Sequence, residues 1–191
     1  MSQHPSARVQ ALLRLLFLNP DEGTYAVLDA ARSANLYDWI GRCGLRTQSL
    51  YSGTAAVTLA EQAPYLVRLQ ADSAHLAHLL EAGWGQSLGV FVWGSPRFED
   101  VRIQLKKQLV TRNADGRRHY FRFYDPRVAR AFLATADAPG LRWWFDGGIK
   151  RWLLESADGD ALLVHRQGNT GAQLAVHRQH VPPPLHDALA P

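Results

Sequence analysis

The sequence predicts a mixed α/β (α+β) fold in which helices are interleaved with a mostly antiparallel sheet. Three observations support this class. Apolar side chains recur with helical spacing in several segments, short runs rich in branched and aromatic residues lie between them, and the two kinds of segment follow no regular strand-helix-strand alternation. With 191 residues, of which 47% are hydrophobic, the chain can bury a substantial core.

The first half of the chain alternates predicted helices and strands. An amphipathic helix that carries Val9, Leu12, Leu13 and Leu16 on one face is expected to stop near Asn19-Pro20. The further elements predicted here are a strand at 24–31, a helix at 35–45 ended by Gly44, a strand at 64–69, a helix from its cap Ser73 to Gly83, and a strand at 88–93.

The second half is predicted to contain a helix and two hairpins. Ser95 can cap the helix with Pro96 at its first position, and Lys106 and Lys107 lie near its end. Strands at 108–112 and 118–124 form the first predicted hairpin, around the turn 112–118. Strands at 150–156 and 161–166 form the second.

The stretch FRFYDPRV, residues 121 to 128, predicts a joint between a strand and a helix. Strand alternation directs Phe121 and Phe123 to the core side, opposite Tyr120, Arg122 and Tyr124. Asp125 can accept a hydrogen bond as N-cap, and Pro126 presets the first helical φ angle. We therefore expect Phe121, Phe123, Asp125 and Pro126 to be structural, and the helix to bury a face made of Val128, Ala131, Phe132 and Thr135.

The domain prediction places a division near residues 94 to 96, where Gly and Pro interrupt the pattern. Residues 1–94 would form an N-terminal α/β lobe, and 95–166 a C-terminal lobe with the joint at 120–132. Residues 167–191 are expected to form an extended tail, because the segment HVPPPLHDALAP has polyproline character.

Charge is distributed unevenly along the chain. Residues 97–130 contain ten Lys or Arg and four Asp or Glu, a net charge of +6, whereas the whole chain carries +4. This asymmetry indicates either a partner with an acidic surface or the solvated faces of a helix and a hairpin. The single cysteine, Cys43, excludes an internal disulfide framework and fits a reducing cytoplasm.

The motifs of common enzymes and metal sites are absent from the sequence. GWGQSLG, residues 83–89, follows a predicted helix and has the wrong spacing for a dinucleotide loop, so we expect a structural turn. The His75/His78 and His177/His180 pairs have no nearby third ligand in the sequence. We therefore predict no enzymatic activity, no catalytic residue, no cofactor and no metal.

Partner-binding candidates come from the basic segment and the aromatic residues that follow it. Trp143, Trp144 and Trp152 fit an interface or a core layer beneath the last hairpin. Arg122 and Arg127 fit partner contacts, or pairing with Asp125 or a helix C-terminus that braces the joint. The expected partner-binding residues are Lys106, Lys107, Arg117, Arg118, Arg122, Tyr124, Arg127, Trp143 and Trp144. The same Arg-aromatic hairpin also permits the alternative of a basic nucleic-acid-binding module.

Several segments, in order, resemble a known family. YAVLDAAR, APYLVRL, EAGWGQSLGVFVWGS, RFEDVRIQLKKQLV, DGRRHYFRFYDPRVARAFL and WFDGGIKRWLLE look like the bacterial type VI secretion effector chaperones, also called adaptor proteins. The similarity runs from about residue 24 to 156, and FRFYDPRV is its most specific part. The resemblance implies a non-enzymatic cytoplasmic protein that binds a secreted effector and helps to load it onto the VgrG spike. We expect no membrane partner, because the charge-free stretch 82–96 is shorter than the roughly 20 residues that a membrane span needs. Nucleic acid is not the expected partner either, because the Arg-aromatic stretch lacks the glycines of an RNA-recognition strand.

Overall fold

One antiparallel sheet organises the structure, and helices pack on both of its faces. The computed structural model describes residues 5–112, 115–168 and 173–183. The strands of this sheet are β1 (Gly23–Asp29), β2 (Thr47–Ser49), β3 (Pro64–Arg68), β4 (Gly89–Gly94), β7 (Ile149–Glu155), β8 (Ala161–Gln167) and β9 (Leu174–His180), in the spatial order β2-β3-β1-β4-β7-β8-β9. A separate hairpin consists of β5 (Val110–Arg112) and β6 (Arg118–Tyr120). The mixed α/β prediction is confirmed.

Two layers of helices cover the sheet. The helices are α1 (Ala7–Leu16), α2 (Ala34–Arg42), α3 (Thr54–Thr58), α4 (Ala74–Gly83), α5 (Phe98–Gln108), α6 (Pro126–Thr135) and α7 (Ala138–Trp144). Helices α1, α2 and α4 contribute to one apolar cluster, and α5, α6 and α7 contribute to the other. Alternation along β1 sends Ala26 and Leu28 into the first cluster and Tyr25 and Val27 into the second. The central strands are therefore buried on both faces.

Two helices, α4 and α6, begin after the residues that were predicted to cap them. The Ser73 hydroxyl accepts a hydrogen bond from the Leu76 N–H at 3.2 Å, and α4 ends at Gly83 as expected. Asp125 caps α6, and Pro126 occupies its first position. These side chains satisfy N–H groups that the first helical turn leaves without an internal partner, which explains why the sequence signal was reliable here.

The predicted cap of α5 is wrong. The helix begins at Phe98, after Arg97, and Ser95 lies outside it. The Ser95 N–H donates to the Gly148 carbonyl at 3.0 Å, so the chain is held beside β7 at this position. The Ser95 hydroxyl accepts from the Arg97 N–H at 3.2 Å and donates to the Asp100 carboxylate at 3.0 Å.

The first hairpin is shorter than predicted, because strand pairing ends at Tyr120. One more backbone bond follows, from the Phe121 N–H to the Leu109 carbonyl at 2.9 Å, and the chain then turns. Phe123 and Tyr124 are both buried, so the expected strand alternation does not continue to residue 124. Part of the predicted turn, residues 113 and 114, lies outside the described residues.

The buried face of α6 also differs from the prediction. Pro126, Ala129 and Leu133 are its buried residues, whereas Ala131 and Thr135 are exposed. Phe123 and Tyr124 enter the core immediately before the helix, so the buried face starts at Pro126. The residues three and seven positions later, Ala129 and Leu133, lie on the same face. Phe132 packs at the side of this face and stacks on Trp144, with ring centroids 4.8 Å apart.

The segment assigned to the tail contributes to the sheet. Residues 174–180 form β9, which pairs with β8 at the sheet edge, and Val181 is buried. In the sequence, β4 precedes the predicted division near residue 95 and β7 follows it, and the two strands pair in the sheet. The division itself stays a prediction. Residues 184–191 of the expected polyproline tail lie outside the described residues. Within the described ranges, no helix has the length and apolar character needed to cross a bilayer.

Candidate partner-binding surface

The centre of the joint is an ion pair between Asp125 and Arg127. Asp125 Oδ1 accepts hydrogen bonds from the Arg127 backbone N–H and from Nε, both at 3.0 Å, and Oδ2 lies 2.6 Å from Nη2. Burial alone would raise the pKa of Asp125, but the hydrogen bonds and charge of Arg127 hold it below the ordinary value. The Asp125 carboxylate is buried, whereas 55% of the Arg127 side chain is exposed. The buried carboxylate therefore holds an exposed guanidinium in place.

A second pair connects the joint to the central strand β1. Asp29, at the end of β1, has a side chain only 1% exposed, and its Oδ2 lies 2.6 Å from Arg122 Nη2. Its Oδ1 accepts from the Ala31 N–H at 3.3 Å. Arg122 remains 47% exposed, and its guanidinium lies 5.8 Å from the centroid of the Tyr124 ring. The joint is therefore anchored by residues 93 positions apart in the sequence.

A third carboxylate, that of Glu155 at the end of β7, is held by the glycine-rich loop. Its two oxygens accept hydrogen bonds from the backbone N–H groups of Gly85 and Ser87, each at 2.8 Å. Ser87 adopts a φ angle of 55°, in the left-handed region, which helps this short loop to turn its N–H groups inward. Two backbone N–H groups of the loop thus donate to the Glu155 carboxylate of the same chain, in the way that the N–H groups of a phosphate loop donate to a phosphate.

Three tyrosine hydroxyls meet beside these ion pairs. Tyr120 Oη donates to Tyr51 Oη at 2.9 Å and lies 3.4 Å from Tyr124 Oη. Burial and contact with the other two hydroxyls raise the pKa of Tyr120, and burial raises the pKa of Tyr124 to about 12. The Tyr120 and Tyr124 hydroxyls therefore stay neutral at physiological pH, and Tyr120 keeps an exposed ring. We call the exposed parts of Tyr120, Arg122 and Arg127 the joint surface.

The expected partner-binding residues fall into two groups. Lys107, Arg117 and Arg118 are exposed, and Lys106 is half-buried with its Nζ donating to the Ser52 hydroxyl. Tyr124 and Trp144 present almost no surface, because the structure places both in the core, and Trp143 is half-buried. The exposed candidates therefore lie on α5, on the hairpin and on the joint surface.

Phe121 and Phe123, which were predicted to be structural, belong to one aromatic cluster with Trp143, Trp144 and Trp152. Phe123, Trp144 and Trp152 are fully buried, and the Trp144 and Trp152 rings lie 4.5 Å apart. Gln108 Nε2 and Trp152 Nε1 donate to the Trp144 carbonyl at 2.9 and 3.2 Å, so they satisfy the end of α7. Phe121 packs against the rim of this cluster. The core interpretation of Trp144 and Trp152 is confirmed.

The carboxylates around the joint are all engaged by donors of the same chain. Asp29, Asp125 and Glu155 each accept hydrogen bonds from N–H groups of the same chain. In the part of the chain that the structure describes, no three His, Cys, Asp or Glu side chains are grouped to hold a metal ion. Phe123 and Tyr124 are buried, so they cannot stack on the bases of a nucleic acid.

Sequence reasoning missed Asp29, Tyr51 and Glu155, although these residues organise the joint. Asp29 and Glu155 each end an apolar strand, and an acidic residue at that position is a signal that could have identified them. Their partners lie far away in the sequence, so only the strand order brings them together. Among the residues predicted for the joint, the pairing of Arg127 with Asp125 is confirmed, and Arg122 pairs with Asp29 instead.

Comparison with known proteins identifies one family. No curated protein and no solved structure matches the chain. Residues 24–142 match the model of a family described as Domain of unknown function (DUF4123). The match covers β1 through α7 almost completely, including the joint with its buried carboxylates Asp29 and Asp125. Because the match covers more than half of the residues of this chain, the chain belongs to the DUF4123 family.

Proposed function

We propose that this protein is a non-enzymatic cytoplasmic chaperone, or adaptor, that binds a type VI secretion effector and promotes its loading onto the VgrG spike. Membership of the DUF4123 family supports the connection to type VI secretion, because the family is known in chaperones associated with such effectors. The segments that resemble effector chaperones in sequence largely overlap the family match.

The observation that carries the proposal is the joint surface. Tyr120, Arg122 and Arg127 are exposed, but each is restrained by a partner in the protein: Tyr51, Asp29 and Asp125, respectively. Tyrosine and arginine are enriched among the residues that dominate the energy of protein interfaces. Side chains that are already ordered lose less conformational entropy on binding, so a surface of this kind is suited to hold a partner.

The chemistry of the buried acids also supports a binding role. A general base needs a free oxygen within reach of a substrate proton, and its pKa must lie near the working pH. Asp125 has a lowered pKa, and Asp29, Asp125 and Glu155 are directed toward internal donors. The joint thus uses its carboxylates to orient arginines.

An adaptor that transfers cargo must bind firmly and still release it. Specific interfaces bury about 1,200 to 2,000 Å² in total, and affinity is tuned mainly through the dissociation rate. The joint surface and the exposed cations of α5 and the hairpin offer contacts for two partners. The basic residues among them would attract an acidic partner and accelerate encounter.

The test is reconstitution with the products of neighbouring genes. The protein is co-expressed with a candidate effector, purified by a tag on the effector, and then mixed with the cognate VgrG. We expect a stoichiometric complex with the effector and more effector on the spike when the protein is present. Absence of a complex with every neighbouring toxin, together with turnover of a metabolite by the protein alone, would overturn the proposal.

A pair of variants connects that test to the joint surface. Tyr120→Ala removes the exposed ring and should weaken the effector complex by about tenfold or more. His119→Ala is the matched control, because His119 is also exposed on β6 but points to the opposite side of this strand. Equal affinities for the two variants would remove the joint surface from the interface.

A further inference from the structure

A groove lined by both apolar and polar side chains runs between α2 and α4, on the face of the sheet opposite α6. Its volume is about 390 Å³, and Leu36, Trp39, Leu79 and Leu88 contribute its apolar lining. Trp39 is held across the groove, since its Nε1 donates to the His75 carbonyl at 3.0 Å. The volume suits a few side chains, so the groove fits a short segment better than the face of a folded domain.

The rim of the groove carries a positive charge. Arg32 lines it and donates through Nη2 to the Gln86 carbonyl at 3.2 Å, while its side chain stays at the surface. Among the described residues that line this groove, there is no Asp or Glu. Apolar side chains in the lining, together with a guanidinium at the rim, favour a ligand that combines apolar and acidic side chains.

A narrow cleft continues from the groove toward the end of β7. Leu79, Gly83 and Leu88 line both the groove and this cleft, which extends to Glu155. Arg32 is exposed at the rim of the groove, so its guanidinium can be reached from solvent.

We propose that the α2/α4 groove docks a segment of the effector in which apolar side chains pack against its leucines and Trp39 and acidic side chains contact Arg32. This inference rests on the proposed function and specifies the chemistry of the cargo that the protein recognises. Charge complementarity identifies the occupant: Arg32 places a positive charge at the rim, and the described residues that line the groove include no acid to compensate it. The segment follows the general mode in which apolar anchors lie in a groove between helices.

The first experiment uses a displayed library of short random peptides, selected on the full-length protein. We expect the enriched peptides to combine Leu, Ile, Phe or Trp with Asp or Glu, and to bind the purified protein in a fluorescence anisotropy assay. Enrichment of basic or purely polar peptides would overturn the proposal, as would no enrichment at all.

Two variants place the binding in the groove. Ala82→Trp introduces a large ring at an exposed position that lines the groove, and Arg32→Glu reverses the charge at its rim. We expect Ala82→Trp to abolish peptide binding. Arg32→Glu should weaken binding by about tenfold to a hundredfold, as expected for the loss of a charge-assisted hydrogen bond.

Matched controls separate these effects from loss of folding. Ala134→Trp places the same ring at an exposed site on α6, and Arg42→Glu reverses an exposed charge on α2 away from the groove. Both controls should bind the peptides as the original protein does, with unchanged circular dichroism. If Ala82→Trp and Ala134→Trp bind equally well, the groove is not the docking site. Sedimentation velocity of the free protein adds another outcome, because a dimer that Ala82→Trp dissociates would make a second copy the occupant.

The same variants, tested in the effector pull-down, distinguish the two proposals. If the unmodified protein binds its effector and Ala82→Trp binds equally well, the groove proposal fails while the chaperone function stands. If the unmodified protein binds no effector, the proposed function fails, and peptide selection then reports on the groove independently.

Discussion

Arg127 closes back onto Asp125, with Nε 3.0 Å from Oδ1 and Nη2 2.6 Å from Oδ2. Oδ1 also accepts the Arg127 backbone N–H at 3.0 Å, so one carboxylate both caps α6 and orients an exposed guanidinium. This double role makes Asp125 the residue on which the direction of α6 and the position of the arginine jointly depend.

Replacement of Asp125 should therefore cost more than replacement of an ordinary helix cap. We expect Asp125→Ala to lower the free energy of unfolding by about 2 kcal/mol, because it removes a buried cap and the partner of Arg127. Asp137→Ala removes the exposed cap of α7 and should cost about 1 kcal/mol. Urea denaturation measures both variants, and a smaller loss for Asp125→Ala than for Asp137→Ala would contradict this prediction.

The ionised form of Asp125 should make its own contribution to stability in acid. Its pKa is lowered in the folded protein, so the contribution is complete above the unfolded value of about 3.9 and is lost as the pH falls through the folded value. Asp125→Asn keeps an oxygen for the cap but cannot ionise. The difference in unfolding free energy between the original protein and Asp125→Asn should shrink below about pH 4; a constant difference down to pH 2 would argue against it.

The Asp29–Arg122 pair should show energetic coupling. Arg122→Ala leaves the buried Asp29 carboxylate with one backbone donor, so we expect a loss of about 1 to 3 kcal/mol. Asp29→Asn removes the charge that Arg122 compensates. The double variant should therefore be more stable than the sum of the two single losses predicts, by about 1 kcal/mol. Additive losses in chemical denaturation would show that the pair is not coupled.

The sequence was most informative where a residue acts on its immediate neighbours. Ser73, Asp125 and Pro126 act within one helical turn, and all three were placed correctly. Ser95 has the same local signal, but a long-range hydrogen bond to Gly148 overrides it. The short elements α3 and β2 and the edge strand β9 lacked sufficient periodicity to be predicted, since five of the seven residues of β9 are exposed.

The site itself was only half visible in the sequence. FRFYDPRV contains both arginines of the joint, Arg122 and Arg127. The pairing of Arg127 with Asp125 involves residues only two positions apart, so it is local in the sequence. Asp29 reaches Arg122 because β1 occupies the middle of the sheet, which depends on strand order. The α2/α4 groove arises where two helices that are distant in sequence meet over the sheet, and no local pattern encodes that.

His165 should make stability depend on pH in mild acid. Burial lowers its pKa to about 4 from 6.5, and the nearby charge of Arg130 acts in the same direction. The unfolded chain therefore binds a proton between pH 6.5 and 4 while the folded protein does not, so stability falls as the pH drops through this window. The full loss is on the order of 3 kcal/mol.

His165→Leu removes this proton linkage and should flatten the stability profile between pH 6.5 and 4. His75→Gln, at an exposed position of α4, is the control for loss of an imidazole. Thermal unfolding across this range measures both variants. The prediction fails if His165→Leu keeps the original slope.

The exposed cations of α5 and the hairpin should act on the rate of association. Lys107, Arg117 and Arg118 are exposed, and the half-buried Lys106 precedes Lys107 on α5. If the proposed function is correct and the effector presents an acidic surface, charge reversal at these four positions should slow association by about tenfold or more at low salt. Dissociation should change much less, because long-range steering acts before the interface forms.

Salt concentration gives the decisive control for steering. Added salt shortens the range of charge interactions to about 8 Å at 0.15 M, so the rates of the original and charge-reversed proteins should converge as salt rises. Stopped-flow fluorescence at several salt concentrations measures this, with Arg42→Glu as a single reversal on α2, outside the basic segment. A rate difference that persists unchanged in high salt would mean that these residues make direct contacts instead. Identical rates in low salt would remove electrostatic steering from the mechanism and leave recognition to the joint surface and the groove.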